Sequence, residues 1–425
     1  MELFTTSINK MKVHFIRIEK FKTIGVSLKM ISNFVPETVN KRVLIPQILL
    51  SGSLNFPNKQ AIQKKLDYLY GTDIFASTQK VGEQSIISFD LMMVNEKYLI
   101  NKPLLLRQGF ALFSDIIFNP KRHLGLLRKA SVNEEIRMLD EELEAQYNDK
   151  NEYSFELFKK KMFDNETYKF SARGDLSSLK TENQVELTTY YDNMIHSDMK
   201  EMYIIGDFDQ EEVSKLIKEF FVFKNPILHC TWLDLESTSR TTVTKAIDYS
   251  DVAQSRITIG FRTNIRSTSE LYYPLVLFNL LFGETDQSML FQTVREIHHL
   301  SYYVSSAYQP NKGVLFVFAG VEAHNEENAT ELILDCLDRL QNGNISDESI
   351  FLAKEYLISR LKKNNDSMAS IVGRTFMSMK LFEKPYDIDD ILTQVNSVTK
   401  DQIQIASNSL VLDTIHFFMK EDIHE

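Results

Sequence analysis

Two stretches decide the fold, LIPQILLSG (Leu44–Gly52) and LVLFNLLFG (Leu275–Gly283). Each is an apolar run ending on glycine, too long for most strands, and reads as a buried helix. A second helical pattern follows each, and strands follow that. After the first run, AIQKKLDYLYG sets Ile62, Leu66, Leu69 and Tyr70 on one helix face, with Gly71 as a C-terminal stop. SIISFDLMMV then alternates as a strand. After the second run, SMLFQTVREIHH reads as a helix, and YYVSSAY and GVLFVFAGV as strands. Gly52 to Tyr70 and Gly283 to Ser301 are both intervals of 18 residues. One design is used twice.

The flanking sequence extends the pattern. VHFIRI and TIGVSLKMI alternate as half-buried strands before the first run, in which Pro46 is expected in the first helical turn, where proline is tolerated. Residues 121–163 read as charged helix. MYIIGDF (Met202–Phe208) reads as a buried strand, followed by a helix that Asp209 can cap, with Val213, Leu216, Ile217 and Phe220 facing inward. KNPILHCTWLDLESTSR (Lys224–Arg240) has no steady period and reads as a linker. RITIGF opens the second half, and the late chain reads as helical in TELILDCLDRL and SIFLAKEYLISRLKK. The expected fold class is therefore α+β: two homologous α/β-roll halves, each an antiparallel-rich sheet with helices packed on one face, forming a clamshell. The halves are 1–225 and 245–425, joined by a linker at 226–244.

Composition limits the function. The 425 residues exceed one core, and 43% apolar with 25% charged is an ordinary globular balance. A formal charge of −10 argues against a nucleic-acid partner. No apolar run is long enough for a spanning helix, and the N-terminus lacks a signal peptide's apolar core. A cytoplasmic protein without a membrane partner is expected. Cys230 and Cys336 form no C-x-x-C pair.

Chemistry is harder to find. Zinc peptidases need two imidazoles and a carboxylate on one side of the ion, with a position left for water. No two of the 9 histidines lie three or four residues apart; His298 and His299 are adjacent and point about 100° apart on a helix. Phosphate loops, dinucleotide fingerprints and serine elbows are absent from the sequence. Ser53, in LLSGSLNF, has a turn-like context and no base nearby. The carboxylate-dense NEEIRMLDEELEAQ reads as a solvated helix face.

The order of these elements resembles the insulinase/pitrilysin metallopeptidases, the inverzincins, and among them the short bacterial members with one pair of halves per chain. The resemblance spans most of the chain. In the family's first half, an inverted zinc motif precedes a Phe/Leu-x-Gly-Thr turn; the turn here is LLSGS. The zinc histidines would fall at Val43 and Gln47 and the catalytic glutamate at Pro46, so all three are lost. NEEIRML puts Glu135 at the downstream ligand position. In the second half, FGETDQSMLFQTVREIHHLSYYVSS retains Arg295 and Tyr302, matching the family's substrate-binding Arg/Tyr pair. The resemblance implies a chain with no catalytic residue and no metal of its own, a non-catalytic subunit of a heterodimeric zinc metallopeptidase. A homologous partner subunit bearing the zinc motif would supply the zinc, and peptide would be the substrate. The alternative is a catalytically inert peptidase-fold scaffold or peptide-binding module. On residue type alone, Arg295 could be an exposed cation paired with Glu296, and Tyr302 a half-buried strand aromatic.

Overall fold

The computed structural model describes residues 2–100, 104–223 and 242–420. The expected linker lies largely outside the described residues, as does Cys230. The chain divides into two compact units. One comprises residues 1–145 and 171–233; the other comprises 146–170 and 234–425. The units therefore depart from a simple sequential cut, because a segment of the first half belongs to the second unit.

The first unit is built on six strands: β1 (Glu2–Ile8), β2 (Met11–Arg17), β3 (Thr23–Asn33), β4 (Asp73–Val81), β5 (Gln84–Val94) and β8 (Met199–Gly206). A small hairpin, β6 (Arg122–His123) with β7 (Leu126–Leu127), stands apart. The main sheet runs β1-β2-β8-β3-β5-β4. Strand alternation sends Val13, Phe15, Val26, Leu28, Phe89 and Ile204 to one face, where helices Val39–Leu50, Leu105–Phe118 and Gln210–Phe220 close the core. Asp209 accepts from the Glu212 amide at 2.8 Å, as its sequence position suggests.

The second unit's sheet contains β9 (Thr244–Ser250), β10 (Ser255–Arg262), β11 (Ser301–Gln309), β12 (Val314–Val321) and β13 (Val411–Lys420), in the order β11-β12-β10-β13-β9. Read from β4 inward, the first sheet has the same plan. β4-β5-β3-β8-β2 corresponds to β11-β12-β10-β13-β9. Only the last pair, β8 with β2 or β13 with β9, is parallel in each. The duplication visible in the two apolar runs is thus complete at the level of strand order and direction, with β1 as the first sheet's addition.

Four local expectations need correction. Residues 121–163 are not helical from their start: the hairpin β6–β7 precedes helix Lys129–Asn148. The late chain is not helical to its end: β13 closes it as an interior strand of the second sheet. Pro46 is not in the first turn, because its helix already begins at Val39. Tyr70 does not join the apolar face of helix Lys59–Tyr68; it is left-handed at φ 61° and half exposed, while Ile62, Leu66 and Leu69 are buried.

The transferred segment explains its own placement. In helix Lys150–Met162, Phe155, Phe158 and Met162 share one face and pack on Val314, Phe316 and Phe318, on the side of the second sheet opposite its main core. Gly260 makes room there, since a Cβ would meet Met162 Sδ at 2.4 Å and Phe158 Cζ at 2.7 Å. Buried charges fix the end of the segment. Arg262 contacts Glu166 at 2.8 Å and Asp413 at 2.7 Å, donates to the Met162 carbonyl at 2.9 Å, and Lys312 also pairs with Glu166.

Candidate functional site

The first half holds the positions where the resemblance would put zinc. Helix Val39–Leu50 carries Val43 half-buried, Pro46 buried and Gln47 exposed. Proline inside a helix has no N–H for the carbonyl four residues back. That carbonyl belongs to Arg42, and it accepts instead from the Thr78 hydroxyl on β4 at 3.0 Å. The Arg42 side chain is buried and pairs with Asp198 at 2.8 Å. Glu135, on helix Lys129–Asn148, is also buried, and its carboxylate is held by the Lys59 ammonium at 2.8 Å. A valine and a proline offer no metal donor, and the remaining carboxylate already has a cation. These residues do not fit zinc. Among the described residues, no cluster of three or more His, Cys, Asp or Glu could hold a metal ion. Ser53 donates to Asp115 at 2.6 Å in a buried turn, a structural bond with no imidazole in it.

The second half is irregular where the resemblance puts its substrate-binding pair. Helix Tyr272–Asn279 widens into a π segment at Leu280–Glu284, and a second π segment spans Phe291–Ile297. Single π turns concentrate at functional sites because they displace side chains from the regular helical position. Arg295 lies on the second one. Its side chain is 44% exposed, 3.7 Å from Glu296 Oε1, and its guanidinium lies 4.6 Å from the centre of the Phe291 ring. Two residues past the segment, His299 is left-handed at φ 53°. His298 and His299 are both exposed.

Tyr302 follows on β11. The pairing of β11 with β12 shifts between Ser301 and Tyr303, so Tyr302 is the extra residue of a bulge. It is 51% exposed, and its hydroxyl donates to Glu322 Oε1 at 2.8 Å. That hydrogen bond, with the Glu322 charge, pushes the phenol above its ordinary value and keeps it a donor. β11 is also the outermost strand of its sheet, with one hydrogen-bonding edge left unpaired by any other strand of that sheet. The structure thus sets both residues on backbone irregularities at the same end of an edge strand, each held by an acidic neighbour. Neither the π segments nor the bulge has a sequence signature in an apolar-polar pattern. The adjacent histidines follow the π segment, His298 as its C-terminal cap.

A family model described as peptidase M16 inactive domain matches residues 183–357. A Bacillus subtilis protein described as probable inactive metalloprotease YmfF is 30% identical over 95% of this chain and 94% of its own length. A crystal structure of a conserved Enterococcus faecalis protein superposes with a TM-score of 0.94 at 24% identity, covering 100% of both chains. A Pseudomonas fluorescens peptidase M16 inactive domain superposes at 0.78 with 16% identity, over 100% of this chain and 99% of that one. The last two likenesses bear on the fold. Among the described residues, no helix is long and apolar enough to cross a membrane.

Proposed function

The chain belongs to the peptidase M16 family as an inactive, metalloprotease-like member, and from that premise we propose that it is the non-catalytic subunit of a heterodimeric zinc peptidase acting in the cytoplasm. The partner is a homologous chain that carries H-x-x-E-H, and it supplies the zinc and the glutamate that activates water. This chain contributes Arg295 and Tyr302 to the grip on a peptide. A guanidinium offers a planar fork of donors to a substrate carbonyl or carboxylate. A phenol that stays protonated can donate to the oxyanion of a tetrahedral intermediate. Peptide backbone can add along the unpaired edge of β11.

The observation that carries this reading is the placement of Tyr302 on the β11 bulge, half exposed, with Arg295 on the π segment just before it. Regular packing needs neither irregularity. A second reading, a catalytically inert scaffold, is favoured by the partners the two side chains already have, Glu296 and Glu322. Co-expression with a homologous H-x-x-E-H chain separates the two. The subunit reading expects co-purification, zinc in the partner only, and cleavage of unstructured peptides by the pair but by neither chain alone. A complex that forms and cleaves nothing supports the scaffold, and stoichiometric zinc in this chain alone overturns both.

A further inference from the structure

We propose that β9, in the second sheet, is a docking surface for an amphipathic helix of another protein chain. The duplication supplies the argument. β9 holds the place in the second sheet that β2 holds in the first, as the parallel neighbour of β13 or β8. Directly paired residues point to the same side of a sheet. In the first sheet, Val13 and Phe15 pair with Met202 and Ile204 and face the core, where they are 0% and 2% exposed. Helix Gln210–Phe220 puts Val213, Leu216 and Ile217 into the same core. The Phe208 ring, just ahead of that helix, lies 5.9 Å from the Phe15 ring.

In the second sheet, Lys245, Ile247 and Tyr249 pair with Ile415, Phe417 and Met419, whose side chains face the core of that unit. This side of β9 is nevertheless open. Ile247 is 48% exposed and Tyr249 59%, and Val243, just before the strand, is 45% exposed. Among the described residues, no helix covers them as Gln210–Phe220 covers Val13 and Phe15. Helix Lys150–Met162 packs on the opposite side of β9, where Lys161 meets Asp248 at 3.6 Å. Val243, Ile247 and Tyr249 thus form an apolar stripe along one strand, not scattered surface residues. The layer packed on this side of both sheets is helical, so the element that completes it is a helix with one apolar face. Lys245 stands exposed within the stripe and has no carboxylate partner among the described residues. The docking helix therefore carries an acidic residue beside its apolar face.

The probe is a labelled peptide with the sequence of residues 209–221, DQEEVSKLIKEFF, the acidic amphipathic helix that covers the matching strand of the first sheet. Its fluorescence anisotropy is followed as the full chain is added. The peptide is expected to bind, and a scrambled peptide without the apolar stripe to bind at least tenfold more weakly. Ile247→Asp and Tyr249→Ser should each weaken binding at least tenfold, and Lys245→Glu about threefold. No binding, equal binding of the scrambled peptide, or a folded Ile247→Asp chain with unchanged affinity overturns the proposal. A chain that light scattering shows as a dimer, and as a monomer after Ile247→Asp, has a second copy on this surface and overturns the helix partner. Should Ile247→Asp fail to fold, a Tyr249→Ser chain that binds the peptide as tightly as the parent overturns it equally. Because no zinc-bearing chain and no cleavage are involved, failure here leaves the subunit reading standing, and failure of that reading leaves this one.

Discussion

At the residue scale, a proline inside helix Val39–Leu50 leaves a defect that the fold repairs. Proline at 46 strands the Arg42 carbonyl, and Thr78 reaches across from β4 to satisfy it. Removing that hydroxyl should cost about 1–3 kcal/mol, the range for a buried acceptor left unmade. We predict that Thr78→Val lowers urea stability by that amount, and by less than half as much in a Pro46→Ala background, where the helix supplies its own donor. Equal losses in both backgrounds would show that the two residues do not communicate. The sequence shows that Pro46 is helical but not how deep in the helix it sits. Asn40 and Arg42, polar by type, are buried in the helix's first turns. Their partners, Asp175, Ser178 and Asp198, lie more than a hundred residues away.

At the element scale, the second unit depends on a helix borrowed from the first half of the sequence. Lys150–Met162 reads as part of a charged stretch, yet Phe155, Phe158 and Met162 make it amphipathic, and the sheet face they cover is far off in sequence. Phe158 is fully buried, so Phe158→Ala should cost about 3–5 kcal/mol in chemical denaturation. A loss below about 1 kcal/mol would mean that the helix is not part of the unit's core. β13 escaped the sequence reading for a related reason. Buried on both faces, with Asp413, Thr414 and His416 among its apolar residues, it shows neither a period of two nor one of 3.6. Strands β2, β3, β5, β8, β10, β11 and β12 were legible, whereas the edge strands β1, β4 and β9 were not read.

At the scale of the whole molecule, the duplicated strand plan was legible because two apolar helices recur at matched distances from a strand. The candidate site was legible only in part: Arg295 and Tyr302 could be proposed by resemblance, but the π segment and the bulge arise from backbone register, which residue types do not record. Acid should strain the second unit. Burial alone would raise the Glu166 carboxyl, but Lys312 and Arg262 outweigh it and hold it below its ordinary value. A depressed carboxyl contributes stability above its unfolded value of about 4.3 and loses it as pH falls through the folded one. Burial lowers His416, against the pull of Asp248, so it contributes with the same sign from about pH 6.5 downward. Stability should therefore decline in two steps on acidification, and Glu166→Gln should abolish the lower one; a wild-type melting temperature flat from pH 7 to 4 would contradict this. The central claim is that this chain grips the peptide while another cleaves it. The direct measurement is kcat/KM for peptide cleavage by the reconstituted pair with Arg295→Ala and with Tyr302→Phe. The account predicts a fall of at least tenfold for each with the pair still assembled, and unchanged rates would contradict it.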